Sequence, residues 1–254
     1  MRDHIVLYSV LRKYFIETRR YILNMTMSIA GFLMLFLIVF FGLQSFGAEA
    51  ETLKGSLVGF AMWIFAASAY SELSWNLIEE ARNGTLEQLY LTPSSFRRIS
   101  GYLVTSSFLF QFIMFAVFLG AMLLITGQRL ALNPGVIVLI GLTLLSVYGL
   151  GYIMGGLSLV FKKVQAGNQI LQFMFILFLV LPSFTDHPII YFAPISWGNV
   201  LINRMMVGGV SLLDISMSNF LILAVNSLIY LLIGLAVFTY LEKVAKKRGL
   251  LGHY

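Results

Sequence analysis

Cysteine is absent from the 254 residues, which excludes disulfides, thiolate metal sites and cysteine nucleophiles. Charge is scarce as well. Only 11% of residues are Asp, Glu, Lys or Arg, while 59% are hydrophobic. A water-soluble domain carries about 25% charged residues, because its surface faces water. With a mean hydropathy of +0.89, this chain lacks the charge to coat a globule, so lipid must cover much of it. Histidine occurs three times, at His4, His187 and His253, outside the long apolar runs. An intramembrane Ser–His dyad or a His-rich metal site therefore has no candidates. No G-x-x-x-x-G-K-[ST] run occurs, so the chain has no P-loop with which to bind ATP. No catalytic or metal-ligating residue is expected, and the chain reads as a non-enzyme.

What the chain does have is long apolar runs. A membrane-crossing helix needs about 20 mainly apolar residues, and the segments 25–46, 55–76, 99–126, 135–161 and 220–241 meet that length. Segment 168–184 is shorter and carries Gln169 and Gln172, but it is strongly apolar from Phe173 to Pro182. Counting it, the sequence predicts an all-α integral membrane fold of six transmembrane helices in one domain, residues 1–254. Ala48-Glu49-Ala50 has the small-residue pattern of a signal-peptidase site. The apolar run before it is too long for a signal peptide, so it reads as a retained span.

The net charge of +6 comes from 17 basic and 11 acidic residues. In a soluble domain such an excess points to nucleic acid. Here the basic residues stand at the ends of apolar runs, so no nucleic-acid partner is expected and anionic membrane lipid is. With the N-terminus inside, fourteen of the seventeen fall on the cytoplasmic side, leaving Lys54, Arg129 and Arg204 outside. The positive-inside rule selects that topology, with both termini cytoplasmic. An odd number of spans would place the basic C-terminus outside, which argues for the sixth helix.

Residues 1–21 read as an amphipathic helix on the membrane surface. Leu7, Tyr8, Leu11, Tyr14 and Phe15 recur at helical spacing, with Arg12, Lys13, Arg19 and Arg20 as cationic anchors. The alternative is a disordered basic tail. The outer segment 185–217 is too apolar for a solvated loop, yet prolines and glycines interrupt it. It reads as two short re-entrant helices, broken near Trp197–Asn199 or at Gly208–Gly209, with an interfacial aromatic loop as the alternative. Pro194, Trp197, Arg204, Gly208 and Gly209 are its marker residues. Glu72 is an acidic residue inside an apolar span, near its cytoplasmic end, beside Ser71, Ser74 and Asn76. Both a plain interfacial role and a cavity, gating or coupling role remain open for it. Gly149, Gly151, Gly155 and Gly156 in the fourth span read as a close-packing face, with a hinge or pore lining as the alternative.

The most informative stretch runs from Glu79 to Pro93, inside the cytoplasmic loop 78–98. Thr85-x-x-Gln88 is a capping box that starts a helix, and Pro93 disfavours helix at Thr92 and so stops it. About two turns result, with Leu86, Leu89 and Tyr90 on one side and Glu87 on the other. A short, doubly punctuated helix of this kind suits docking into another protein's groove.

At these residues the chain resembles the permease subunits of ABC-2-type ABC transporters. That family carries an acidic stretch followed by G-T-L-E-x-L-x-x-T-P between its second and third spans. Gly84, Thr85, Leu86, Glu87, Leu89, Thr92 and Pro93 match it. Pro194, Asn203, Arg204 and Gly208-Gly209 are similar to the family's outer pattern, with Ala193 where asparagine often precedes the proline. The resemblance implies an N-terminal elbow helix (1–21), a coupling loop (78–98) and a re-entrant outer segment (185–217). It also implies that Glu79, Glu80, Gly84, Thr85, Leu86, Glu87, Leu89, Tyr90 and Pro93 contact a separate ATP-binding subunit. ATP and Mg would sit on that partner, with no cofactor in this chain. A second permease copy, identical or paralogous, would complete an exporter in a prokaryotic cell membrane. An amphipathic or hydrophobic cargo is expected: a drug, an antibiotic, a lipid or a lipid-linked glycan. An ATP-independent channel or carrier is the alternative, although it would normally line several spans with polar groups.

Overall fold

The computed structural model describes residues 16, 22–82, 96–161 and 164–249. The regular elements among them are helical. Six are long and apolar enough to cross a membrane: α1 (Ile22–Ser45), α2 (Ala50–Arg82), α3 (Phe96–Thr126), α4 (Gly135–Val160), α5 (Gln165–Phe184) and α8 (Met217–Lys247). Two shorter helices, α6 (Ile189–Phe192) and α7 (Ser196–Met206), lie between α5 and α8, followed by a 3-10 turn at Leu212–Asp214. The short fifth segment is among these six. The surface segment 1–21 falls, apart from Ile16, outside the described residues.

Local chemistry sets several of the boundaries. The Asn133 side chain accepts the Gly135 N–H at 3.0 Å, beside Pro134 at the start of α4. A proline there gives up an N–H that has no intrahelical partner in any case. Ser216 caps α8 by accepting the Asn219 N–H. Lys246 and Lys247 occupy the last turn of α8, where cations complement the helix dipole.

The helices differ sharply in how deeply they sit. In the most apolar stretch of α4, 61% of residues are buried, against 11% in α1 and 17% in both α5 and α8. α4 is therefore the axis, and the outer helices turn apolar faces outward, including Met34 and Ile38 on α1 and Leu228 and Leu232 on α8. Glycine makes that axis possible. A Cβ on Gly149 would lie 2.3 Å from the Tyr230 carbonyl oxygen of α8, and one on Gly234 of α8 would lie 2.1 Å from that of Gly149. On another face of α4, a Cβ on Gly151 would come within 2.8 Å of the Tyr70 carbonyl oxygen of α2. In lipid such close approach, rather than hydrophobic transfer, holds helices together. The packing role read from these glycines therefore holds for Gly149 and Gly151.

Two ends of the bundle can be distinguished. Gly55, near the start of α2, lies against Asn203 of α7, and Ala131, between α3 and α4, donates its N–H to the Met206 carbonyl at 2.8 Å. The short helices thus gather at the end where α1 passes to α2 and α3 to α4. Glu72 lies 17 residues beyond Gly55, about 25 Å further along α2 at 1.5 Å per residue.

Candidate functional site

Gly84, Thr85, Leu86, Glu87, Leu89, Tyr90 and Pro93 lie outside the described residues. Glu79 and Glu80 fall in the last turn of α2, which stays helical through Arg82. A helix of 33 residues is about 50 Å long, whereas the hydrocarbon core of a bilayer is about 30 Å thick. α2 is therefore longer than a crossing requires.

Glu72 is half-buried on α2. Its Oε1 accepts from Asn76 Nδ2 at 3.1 Å, and its Oε2 accepts from Gln111 Nε2 of α3 across a long 3.5 Å. Tyr148 of α4 lies within electrostatic reach of this carboxylate and faces Ser107 of α3. Three helices thus bring polar groups to one place. Their hydrogen bonding is incomplete. Ser107 is 0% exposed and Tyr148 5%, yet neither hydroxyl completes a hydrogen bond of ordinary geometry. The same holds for Ser74 and Ser106, two residues from Glu72 and one from Ser107. Buried polar groups are normally paired, and each exception calls for an explanation such as water, an ion or a ligand.

Gln111 also lines a cleft of about 180 Å³ between α1, α2 and α3. Its walls are mainly aromatic and aliphatic, with Phe32, Phe65, Phe115 and Phe118 among them, and Asn24, Ser28 and Ser68 supply polar groups. Phe65 stacks on Phe115 with centroids 4.9 Å apart. On α2, Phe65, Ser68 and Glu72 follow at spacings of three and four and so share one face.

The other end is built differently. Pro182 stands inside α5, where it provides no N–H and its ring crowds the carbonyl four residues back, that of Phe178. The Ser196 hydroxyl donates to that Phe178 carbonyl, and Asn199 Nδ2 donates to the next one, Leu179, at 3.3 Å. Side chains of α7 thereby satisfy the backbone that the proline disturbs. Asn203 extends the array, with its Nδ2 3.0 Å from the Asn199 carbonyl oxygen. Trp197 is buried, donates from its indole to the Asn219 carbonyl at 3.1 Å, and carries the Arg204 guanidinium 5.9 Å from its ring centre.

Trp197 and Asn199 lie inside α7, so the helix break anticipated near 197–199 falls earlier, at 193–195. Pro194 holds Ala193 extended at ψ 133°, and buried Ile195 adopts φ +70°. That conformation is costly for a β-branched residue and persists only where neighbours impose it. The second anticipated break is present. Gly209, at φ +70°, follows the end of α7, and a Cβ on Gly208 would meet the Arg204 carbonyl oxygen at 2.8 Å.

Sequence reasoning missed Ser107, Gln111 and Tyr148 around Glu72, and Pro182, Ser196 and Asn199 at the short helices. Gln111 carried a signal, as an amide within a long apolar run. Ser196 and Asn199 carried one only through Pro182, 14 and 17 residues away. No family model matches this chain, and neither does any curated protein.

Proposed function

We propose that this chain is the membrane-spanning permease subunit of an ATP-driven exporter of the ABC-2 type, with both termini in the cytoplasm. The observation that carries the reading is the acidic Glu79-Glu80 pair near the end of a helix longer than a crossing needs, followed in the sequence by Gly84–Pro93. That arrangement lets α2 act as a lever: force applied to the loop by a separate ATPase subunit passes along a continuous helix to the Gly151–Tyr70 contact with α4. ATP and Mg bind on the partner, and a second copy of the permease completes the path. In this reading α6 and α7 form the re-entrant outer segment. Side chains of α7 meet the carbonyls of α5, and Asn226 and Tyr230 of α8 meet those of Tyr191 and Phe192 in α6, the condition under which irregular backbone is tolerated at membrane depth.

The test is co-purification with a soluble ATPase after mild detergent extraction, together with ATP-dependent transport in reconstituted vesicles. Glu87→Arg and Gly84→Pro should abolish association and transport. If both variants kept both properties, the coupling-loop assignment would be wrong. A second reading, an ATP-independent carrier, draws on the polar cluster at Glu72. Transport that persists without ATP or an ATPase partner would select it.

A further inference from the structure

A groove of about 630 Å³ runs between α6 and α8. Its α8 wall extends from Leu221 to Ile233, about 18 Å of helix at 1.5 Å per residue. One leaflet contributes about 15 Å of hydrocarbon, half of the bilayer core. The groove is therefore about one leaflet deep. A cavity of about 150 Å³ holds benzene, and by that measure the groove has room for an acyl chain of about sixteen carbons.

The wall presents hydrocarbon. Its polar side chains, Asn226 and Tyr230, direct their donors to the Tyr191 and Phe192 carbonyls at 2.7 and 3.0 Å. Val225 and Ile229 are about half exposed, and Phe192 is 71% exposed. In lipid, helices approach one another closely at small residues, as α4 and α8 do at Gly149 and Gly234. No glycine, alanine or serine is among the described residues that line the groove, so it offers no such seam to a second helix.

A cation stands at one end. The Trp197 ring lies edge-on to Tyr191 of the groove, with centroids 4.6 Å apart, and donates to the carbonyl of Asn219, two residues before Leu221. The Arg204 guanidinium lies 5.9 Å from the centre of that same ring, beside the end of the groove at which α8 begins. Arg204 is exposed and forms no ion pair among the described residues. The acid nearest to it in sequence, Asp214, accepts the Ser211 N–H instead. A guanidinium in this position matches the planar, two-oxygen edge of a phosphate.

We propose that the groove holds one acyl chain of an anionic phospholipid of the surrounding bilayer, with the lipid phosphate paired to Arg204. The chain covers Phe192 and completes the packing of α6, a helix of four residues.

Photo-crosslinking tests this on the full chain in phosphatidylcholine nanodiscs. The probes are phosphatidylglycerol and phosphatidylcholine with the same diazirine-bearing acyl chain, each added in trace amount, and peptide mass spectrometry locates the adducts. Met34 and Ile38 on the outward face of α1 serve as the reference for ordinary lipid contact. Relative to them, adducts at Val225, Ile229 and Phe192 should be about fivefold more abundant with phosphatidylglycerol than with phosphatidylcholine, the effect of one basic residue on an anionic lipid. Arg204→Gln should remove that preference and Arg204→Lys should keep it. Val225→Trp should lower groove adducts from both lipids by filling the groove. Equal labelling by the two lipids in wild type overturns the proposal, as does a preference that survives Arg204→Gln or a groove label that survives Val225→Trp. A groove left unlabelled while α1 is labelled overturns it too, because something other than lipid, such as a second copy of the chain, then covers this face. The assay needs neither ATP nor a partner subunit, so its outcome and that of the exporter test are independent.

Discussion

The two ends of the bundle handle buried polar groups in opposite ways. At the short-helix end, the Phe178 carbonyl disturbed by Pro182 and the neighbouring Leu179 carbonyl are met by Ser196 and Asn199, and the Trp197 indole finds the Asn219 carbonyl. At the Glu72 end, Ser74, Ser106, Ser107 and Tyr148 are buried with no completed hydrogen bond. A satisfied array in low dielectric rigidifies the fold it belongs to, whereas an unsatisfied one is costly unless something else occupies it. The first region is therefore architecture. The second leaves hydroxyls that a water could complete.

Substitutions break this comparison in a predictable order. The largest effect is expected at Gly198 of α7, where a Cβ would lie 2.0 Å from the Thr143 hydroxyl oxygen of α4. Gly198→Val should cost about 3 kcal/mol or more by overpacking, read as a large loss of thermal stability in detergent. Gly59→Ala, with open space around it, is the matched control and should be near neutral.

Next comes the satisfied array. Ser196→Ala and Asn199→Ala should each cost about 1–3 kcal/mol, the penalty for leaving a buried acceptor unpaired. Pro182→Ala restores the N–H that α5 lacks, so the cost of Ser196→Ala should fall in that background. A double-mutant cycle reads the coupling. Additive effects would mean that α7 does not compensate the proline.

The smallest effect is expected at the other end. Ser106→Ala and Ser107→Ala remove hydroxyls that have no completed bond, so thermal stability should change by less than about 0.5 kcal/mol or rise slightly. A loss above about 1 kcal/mol would show these hydroxyls to be paired in the membrane and would erase the contrast between the two ends.

Much of the fold was legible because lipid imposes a simple rule. A run of about 20 apolar residues is a helix, since every backbone polar group must be satisfied within it. That is why 168–184 could be counted despite its two glutamines, and why its observed bounds, Gln165–Phe184, lie close by. The short helices were legible only as a disturbance. Pro194 and Gly209 mark the ends of α7, but nothing local distinguishes Trp197–Asn199 as helix rather than break. The array that stabilises α7 is formed with α5. The Glu72 cluster was half legible: a carboxylate in an apolar span stands out, whereas Ser107 and Tyr148 resemble any other small or aromatic residue of a membrane helix.

By itself the sequence determined that the chain has six helices long and apolar enough to cross a membrane, and roughly where each begins and ends. Composition and run length suffice for those statements, because they depend on transfer from water and on local backbone satisfaction. Only the tertiary structure decided that α4 is the axis, that α7 repairs the backbone disturbed by Pro182, and that Gln111 joins the Glu72 cluster to an aromatic cleft. Those outcomes depend on which helix faces touch. That is set by close approach at Gly149, Gly151 and Gly234, which no single helix reveals.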